Sequence, residues 1–227
     1  MPKHLPEDIL PNYSDIMHFL GNYYACGELG VIFEEKGFPN WLVKVVNQDA
    51  EDDENLLNMY QSQFFEKVWK EQKFRGLPKL KYFWEGECED IVINHLTHTI
   101  LKSKSQAEVN ILGLDEGDLM SIWIMERLDR VGTDLSKPLS YTVEGVAEAA
   151  VNIWEDYGVI MEDLHEGNYG QRDDGSFVIF DPMPMDELSS QYEFFEAFSR
   201  EEQKQWFINN KIWVRDKNNK PHKGKNV

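Results

Sequence analysis

The stretch Asp163-Leu-His-Glu-Gly-Asn168, then twelve residues, then Asp181-Pro182, decides how this chain of 227 residues is read. Asp163 and Asn168 stand five positions apart on a loop that follows a helical pattern. Before Asp181, the turn signal Asp173-Asp174-Gly175 predicts a hairpin whose second strand is Phe177-Val-Ile-Phe180. A hairpin folds the chain back, so Asp181 is expected beside Asn168. Two carboxylates and an amide oxygen then share one loop end. Taken singly, these residue types merely cap turns. Together they suit a reaction in which one carboxylate orients a hydroxyl and takes its proton. The amide oxygen and the second carboxylate would hold hard Mg²⁺ ions, which prefer oxygen ligands.

On the N-terminal side, Val143, Val146/Ala147, Ala150, Trp154 and Tyr157 recur at helical spacing, and Gly158 is expected just past the helix end. Leu119 to Met125 reads as a strand, followed by Glu126-Arg-Leu-Asp129. Tyr23 to Phe33 reads as two strands around a turn at Gly27-Glu-Leu-Gly30, and Pro39-Asn40 is a further turn signal. Trp41-Leu-Val-Lys-Val-Val46 is a strand, apolar except for Lys44. An edge-strand lysine would carry its ammonium out to water.

Leu56 to Lys70 has helical spacing at Leu56, Met59/Tyr60, Phe64 and Val68, and Leu80 to Trp84 is strand-like. Ser14 is placed to cap a short helix over Asp15 to Leu20. Residues 86–117 give no clear pattern and read as an insertion. Beyond Asp181, Gln191 to Phe198 and Glu201 to Asn209 are helical. The order is strand-rich with one helix, then helix-dominated with one hairpin. That is an α+β chain in two lobes, residues 1–126 and 127–215. Residues 216–227 have almost no apolar side chains and read as a basic, flexible, frayed end.

The loop and the residue at 181 resemble the catalytic loop and metal-binding strand of protein-kinase-like enzymes. His165 with Gly167-Asn168 is closer to the Asp-x-His-x-x-Asn loop of aminoglycoside phosphotransferases and RIO-type kinases. Asp-Pro in place of Asp-Phe-Gly resembles the early serine/threonine protein kinases of short-tailed coliphages, as do Gly27-Glu-Leu-Gly-Val-Ile-Phe33, Pro39-Asn40 and Val43-Lys44-Val45. The resemblance spans roughly 21–84 and 119–185.

It implies a two-lobed kinase-like fold using ATP and Mg²⁺. It makes Asp163 the catalytic base beside His165, and Asn168 and Asp181 the metal ligands. Lys44 would pair the α- and β-phosphates, and the Gly27–Gly30 turn would lie over the nucleotide. Met125 would be the gatekeeper, and backbone groups of Glu126 to Leu128 would read the base. The helix over 55–70 should supply a glutamate for Lys44, Glu66 first and Glu54 second. The pattern departs from protein kinases in several places. Met161-Glu162 replaces the usual His-Arg, no Ala-Pro-Glu follows, and only 46 residues remain after Asp181.

Hydrophobic residues at 41% suffice for a core, so global disorder is excluded. Cys26 and Cys88 lack metal-ligand spacing and read as reduced thiols of a cytoplasmic protein. The start has no apolar signal segment, and no run is long enough to span a membrane. Net charge is −18, with +6 from Lys204 onward, leaving −24 on residues 1–203. An acidic body disfavours nucleic acid as partner and suits basic partners or serves solubility alone; with the resemblance, the expected partners are host proteins with basic surfaces. His95-Leu-Thr-His98 lacks further clustered ligands and is not read as a metal site. The leading expectation is a phage-encoded protein kinase acting on host proteins. The alternatives are a small-molecule phosphotransferase, AMP transfer on the same fold, and an idle acidic decoy that mimics DNA.

Overall fold

The computed structural model describes residues 18–27, 30–49, 53–102, 113–128, 137–185, 191–216 and 218–227, without the side chains of 53–56. The helix expected after Ser14, the turn residues Glu28 and Leu29, and Asp129 lie outside the described residues. The chain is α+β, with a five-stranded antiparallel sheet and several helices. Two compact units emerge, residues 1–59 with 81–125 and residues 60–80 with 126–227. This differs from the division expected at residue 126, because the segment 60–80 groups with the C-terminal half. Among the described residues no helix is long and apolar enough to cross a membrane.

In the first unit, β1 (Leu20–Gly27), β2 (Gly30–Glu35) and β3 (Phe38–Asn47) form an antiparallel meander. β5 (Leu119–Glu126) lies beside β3, and β4 (Leu80–Glu87) is the outer strand. The β2–β3 turn is Lys36-Gly37, not Pro39-Asn40. Glu35 pairs with Phe38, and Gly37 supplies the positive φ of 82°. Pro39 sits instead at the exposed start of β3, where a missing N–H does little harm.

Strand alternation sends Val43 and Val45 to one face with Val31, Phe33, Ile122 and Ile124. That face is covered by Val92, Leu96 and Ile100 of α2 (Asp90–Leu101), a helix inside the segment read as an insertion. Both cysteines are free. Burial, helped by acidic neighbours, pushes the Cys88 thiol up to about 11 and keeps it protonated.

α1 (Asp53–Glu71) begins in the first unit and ends in the second. In the second unit α3 (Leu139–Tyr157) buries Val143, Val146, Ala147 and Ala150, as its spacing predicts. It ends at left-handed Gly158, whose N–H donates to the Trp154 carbonyl at 2.7 Å. β6 (Met161–Glu162) pairs with β9 (Met183–Pro184). β7 (Tyr169–Gln171) and β8 (Phe177–Ile179) form the expected hairpin around Asp173-Asp174-Gly175. α4 (Gln191–Glu196) and α5 (Arg200–Asn210) follow, α5 opening on a reciprocal Ser199–Glu202 capping box. Phe195 meets the rings of Trp154, Trp206 and Phe207 at 5.0–5.3 Å.

The C-terminal end is folded, contrary to the frayed end expected. β10 (Trp213–Arg215) pairs with β11 (Pro221–Lys223), and a 3₁₀ turn over Gly224–Asn226 follows. Gly224 donates its N–H to the Ile212 carbonyl at 2.9 Å. A Cβ there would lie 2.6 Å from the Ile208 carbonyl oxygen, so only glycine allows this approach. Val214 is fully buried between the exposed side chains of Trp213 and Arg215. One apolar side chain and a set of backbone bonds thus anchor a segment whose composition suggests none. Deleting 216–227 is expected to cost about 2–3 kcal/mol, a fall in thermal midpoint of about 5–10 °C. Scanning calorimetry measures it, and an unchanged midpoint would show that the hairpin contributes nothing.

Candidate active site

The segment after α3 is pinned by apolar side chains and leaves its polar ones out. Met161, Leu164 and Tyr169 are fully buried, whereas the Asp163 and His165 side chains are 56% and 45% exposed. Asp163 has φ 51°, a left-handed conformation uncommon outside glycine and tolerated best by Asp and Asn. Its carbonyl accepts the His165 N–H at 3.0 Å and Asn168 Nδ2 at 2.9 Å. These bonds hold a backbone that would otherwise relax.

The same Asn168 Nδ2 donates to Asp163 Oδ2 at 2.9 Å. His165 Nε2 lies 3.4 Å from that oxygen, while its Nδ1 accepts the Gly167 N–H at 2.9 Å. A nitrogen that accepts carries no proton, so neutral His165 bears its proton on Nε2, toward Asp163. Gly167 leaves room for this ring, because a Cβ there would fall 2.5 Å from His165 Cε1 and push it aside. Among the described residues none hydrogen-bonds Asp163 Oδ1, so this oxygen can accept from an incoming hydroxyl.

Asp181 stands beside Asn168 as the hairpin predicts. The Asn168 carbonyl accepts the N–H groups of Phe180 at 2.9 Å and Asp181 at 3.4 Å. Asp181 Oδ1 accepts from Gln61 Nε2 at 2.8 Å, and Gln61 also donates to the Pro182 carbonyl at 2.9 Å. Gln61 is fully buried in α1 and was not among the expected site residues. The signal was present, since Asn58, Gln61, Ser62, Phe65 and Val68 share one helical face. Reading only the apolar residues rotated that face toward Tyr60, which is 36% exposed.

The donor set fits Mg²⁺ better than a softer or larger ion. Asn168 turns its amide nitrogen to Asp163, which leaves its amide oxygen as the ligand atom. Asp181 adds a carboxylate. Among the described residues no three His, Cys, Asp or Glu side chains converge as a metal cage. One or two protein oxygens, completed by water and phosphate, is how Mg²⁺ is held in phosphoryl-transfer sites. No family model matches the chain, and no curated protein matches it.

The remaining expected residues are in both units. In the first unit Lys44 lies on β3, a central strand, and is only 2% exposed. It is therefore not an edge lysine reaching for water. By alternation it stands on the face opposite Val43 and Val45, with its Nζ 5.5 Å from the centre of the Trp123 ring. Gly27 pairs with Gly30 at the ends of β1 and β2. Gly30 has a local reason of its own, since a Cβ would lie 2.5 Å from the Val45 carbonyl oxygen. Met125 is buried at the end of β5.

In the second unit Glu66 pairs with Lys70 at 2.6 Å on the exposed face of α1. That bond satisfies its carboxylate within its own helix, so the ion pair observed for Glu66 is with Lys70. The side chain of Glu54 lies outside the described residues. Glu126 accepts from Arg172 and from the Lys79 N–H, and its own N–H donates to the Lys79 carbonyl at 2.9 Å. That N–H is therefore committed to Lys79, while the expectation for this segment concerns the backbone groups of Glu126 to Leu128 together. Leu128 follows in the loop after β5.

Proposed function

We propose that this chain is a Mg·ATP-dependent phosphotransferase of the kinase-like kind, and that its acceptors are serine or threonine hydroxyls of host proteins. The observation that supports it is the single hydrogen-bonded set Asp163–Asn168–Asp181, with Asn168 bonded to both aspartates. In this reading the first unit, with its sheet and Lys44, is the nucleotide lobe, and the second carries the chemistry. The protein would work in a host cytoplasm.

Asp163 receives the acceptor hydroxyl on Oδ1, positioned by Asn168 and His165 on Oδ2. The hydroxyl oxygen bonds to the γ-phosphorus, the bond from that phosphorus to the β-phosphate bridging oxygen breaks, and ADP leaves. The hydroxyl proton passes to the Asp163 carboxylate. Mg²⁺ on Asn168 and Asp181 would neutralise the phosphate charge. Lys44 would pair the α- and β-phosphates. Base reading at the end of β5 would fall to the Glu126 carbonyl and the Leu128 backbone.

The His165 loop favours a second reading, a small-molecule phosphotransferase. Incubation with γ-labelled ATP separates the two. A bacterial protein pool should take up label while a panel of small hydroxyl compounds does not, and the reverse result selects the second reading. Lys44→Met is expected to weaken ATP binding about 10- to 100-fold, the scale of a lost charge-assisted contact. Calorimetric titration measures this, and unchanged affinity would remove Lys44 from the nucleotide site.

A further inference from the structure

The catalytic loop is gripped from one side by the segment that ends α5 and forms β10. Lys211 Nζ pairs with Glu162 Oε1 at 2.5 Å. Ile212 bridges Leu164 in parallel, and the Trp213 N–H donates to the Leu164 carbonyl at 2.8 Å. Arg215 Nε pairs with Glu166 Oε1 at 2.5 Å. The strap therefore touches positions 162, 164 and 166, every second residue of the loop. Asp163 and His165 are the residues left between these contacts.

Three considerations turn this pattern into a role. First, Asp163 carries a left-handed backbone, which persists only where the surroundings over-determine it. Its own bonds to His165 and Asn168 lie within the loop. The strap is the contact that ties the loop to the rest of the unit from this side. Second, Glu162 occupies the position where the resembled kinases carry an arginine, and Lys211 brings a cation to that position from 49 residues away in sequence. Third, the strap is itself fixed, by the Gly224 N–H on the Ile212 carbonyl and by buried Val214. A brace must be stiffer than what it holds.

We propose that Lys211 and Arg215 are positioning residues that set the geometry of Asp163 through Glu162 and Glu166. The catalytic consequence rests on the phosphotransferase reading, whereas the effect on loop geometry does not. Both ion pairs are partly exposed, with side-chain exposures of 17% and 40% for Lys211 and Glu162 and 46% and 26% for Arg215 and Glu166. Pairs of that kind contribute little to stability, so their loss should leave the fold intact. Placement of a catalytic group is far less forgiving, a misplacement near 1 Å costing about 100-fold in rate.

The test compares the parent protein with Lys211→Met, Arg215→Met, the double variant, Arg215→Lys, and the charge exchange Glu166→Arg with Arg215→Glu. In the double variant kcat for phosphoryl transfer should fall about 10- to 100-fold. KM for ATP should stay within about twofold and the thermal midpoint within about 3 °C. Relative to Arg215→Met, the charge exchange should recover most of kcat, and Arg215→Lys part of it. A readout free of activity is the long-range ¹H–¹⁵N spectrum of His165. It should report the Nε2-protonated tautomer in the parent and a tautomer mixture in the double variant. An unchanged kcat or an unchanged His165 tautomer in the double variant would overturn the proposal. Should the parent transfer no phosphate at all, the phosphotransferase reading falls, and the His165 spectrum still decides the brace.

Discussion

Asp163→Ala is expected to lower phosphoryl transfer by about 10²- to 10⁴-fold, the range spanned by a positioned general base, while ATP still binds. The side chain is 56% exposed, so its removal opens no cavity. One hydrogen bond at Oδ2 is lost, from Asn168 at 2.9 Å, together with the 3.4 Å contact to His165 Nε2. Alanine also fits the left-handed backbone less well than aspartate, at a cost of about 1 kcal/mol. Asp163→Asn separates these effects. It tolerates the φ of 51° and keeps an oxygen for Asn168, yet it cannot take a proton. Both variants should lose transfer, and only the alanine variant should lower the thermal midpoint. Transfer retained in Asp163→Asn would retire this residue as the base.

The second large effect is expected at Asp181. Asp181→Asn keeps an oxygen for Gln61 at the 2.8 Å contact and removes the negative charge from the metal ligand pair. Two neutral amide oxygens hold Mg²⁺ poorly, because a hard cation draws most of its binding from carboxylate and phosphate charge. Titration of ATP with and without Mg²⁺ should therefore give a metal-dependent gain in affinity of about tenfold or more for the parent and about twofold for the variant. An unchanged metal dependence would place the Mg²⁺ ligands elsewhere.

Much of the geometry was legible because it is local. The turn Asp173-Asp174-Gly175 fixes a hairpin, and a hairpin between positions 168 and 181 dictates that their backbones meet. The α3 stripe and its glycine stop follow from a period of 3.6 residues. What escaped was set by contacts distant in sequence. Gln61 reaches Asp181 across 120 positions, and nothing near Gln61 marks it except its place on a face that continues Phe65 and Val68. α2 was missed because His95, Thr97, His98 and Thr99 blur the simple spacing of Val92, Leu96 and Ile100. The tail was misread because composition counts its lysines. Its order comes from backbone pairing, the buried Val214 and the one glycine that fits against Ile208. Glu66 is a useful contrast. A glutamate on this helix was expected to pair with Lys44, and the ion pair observed for Glu66 is with Lys70, one turn further on.

The measurement that bears most directly on the Asp163–Asn168–Asp181 set is incubation of the purified protein with Mg²⁺ and a bacterial lysate. Parallel reactions carry γ-labelled and α-labelled ATP, each beside Asp163→Asn. Asp163 as the base of a phosphotransferase requires label from the γ position on discrete protein bands, absent with Asp163→Asn, and none from the α position. Label from the α position, or γ label that persists in Asp163→Asn, would contradict it.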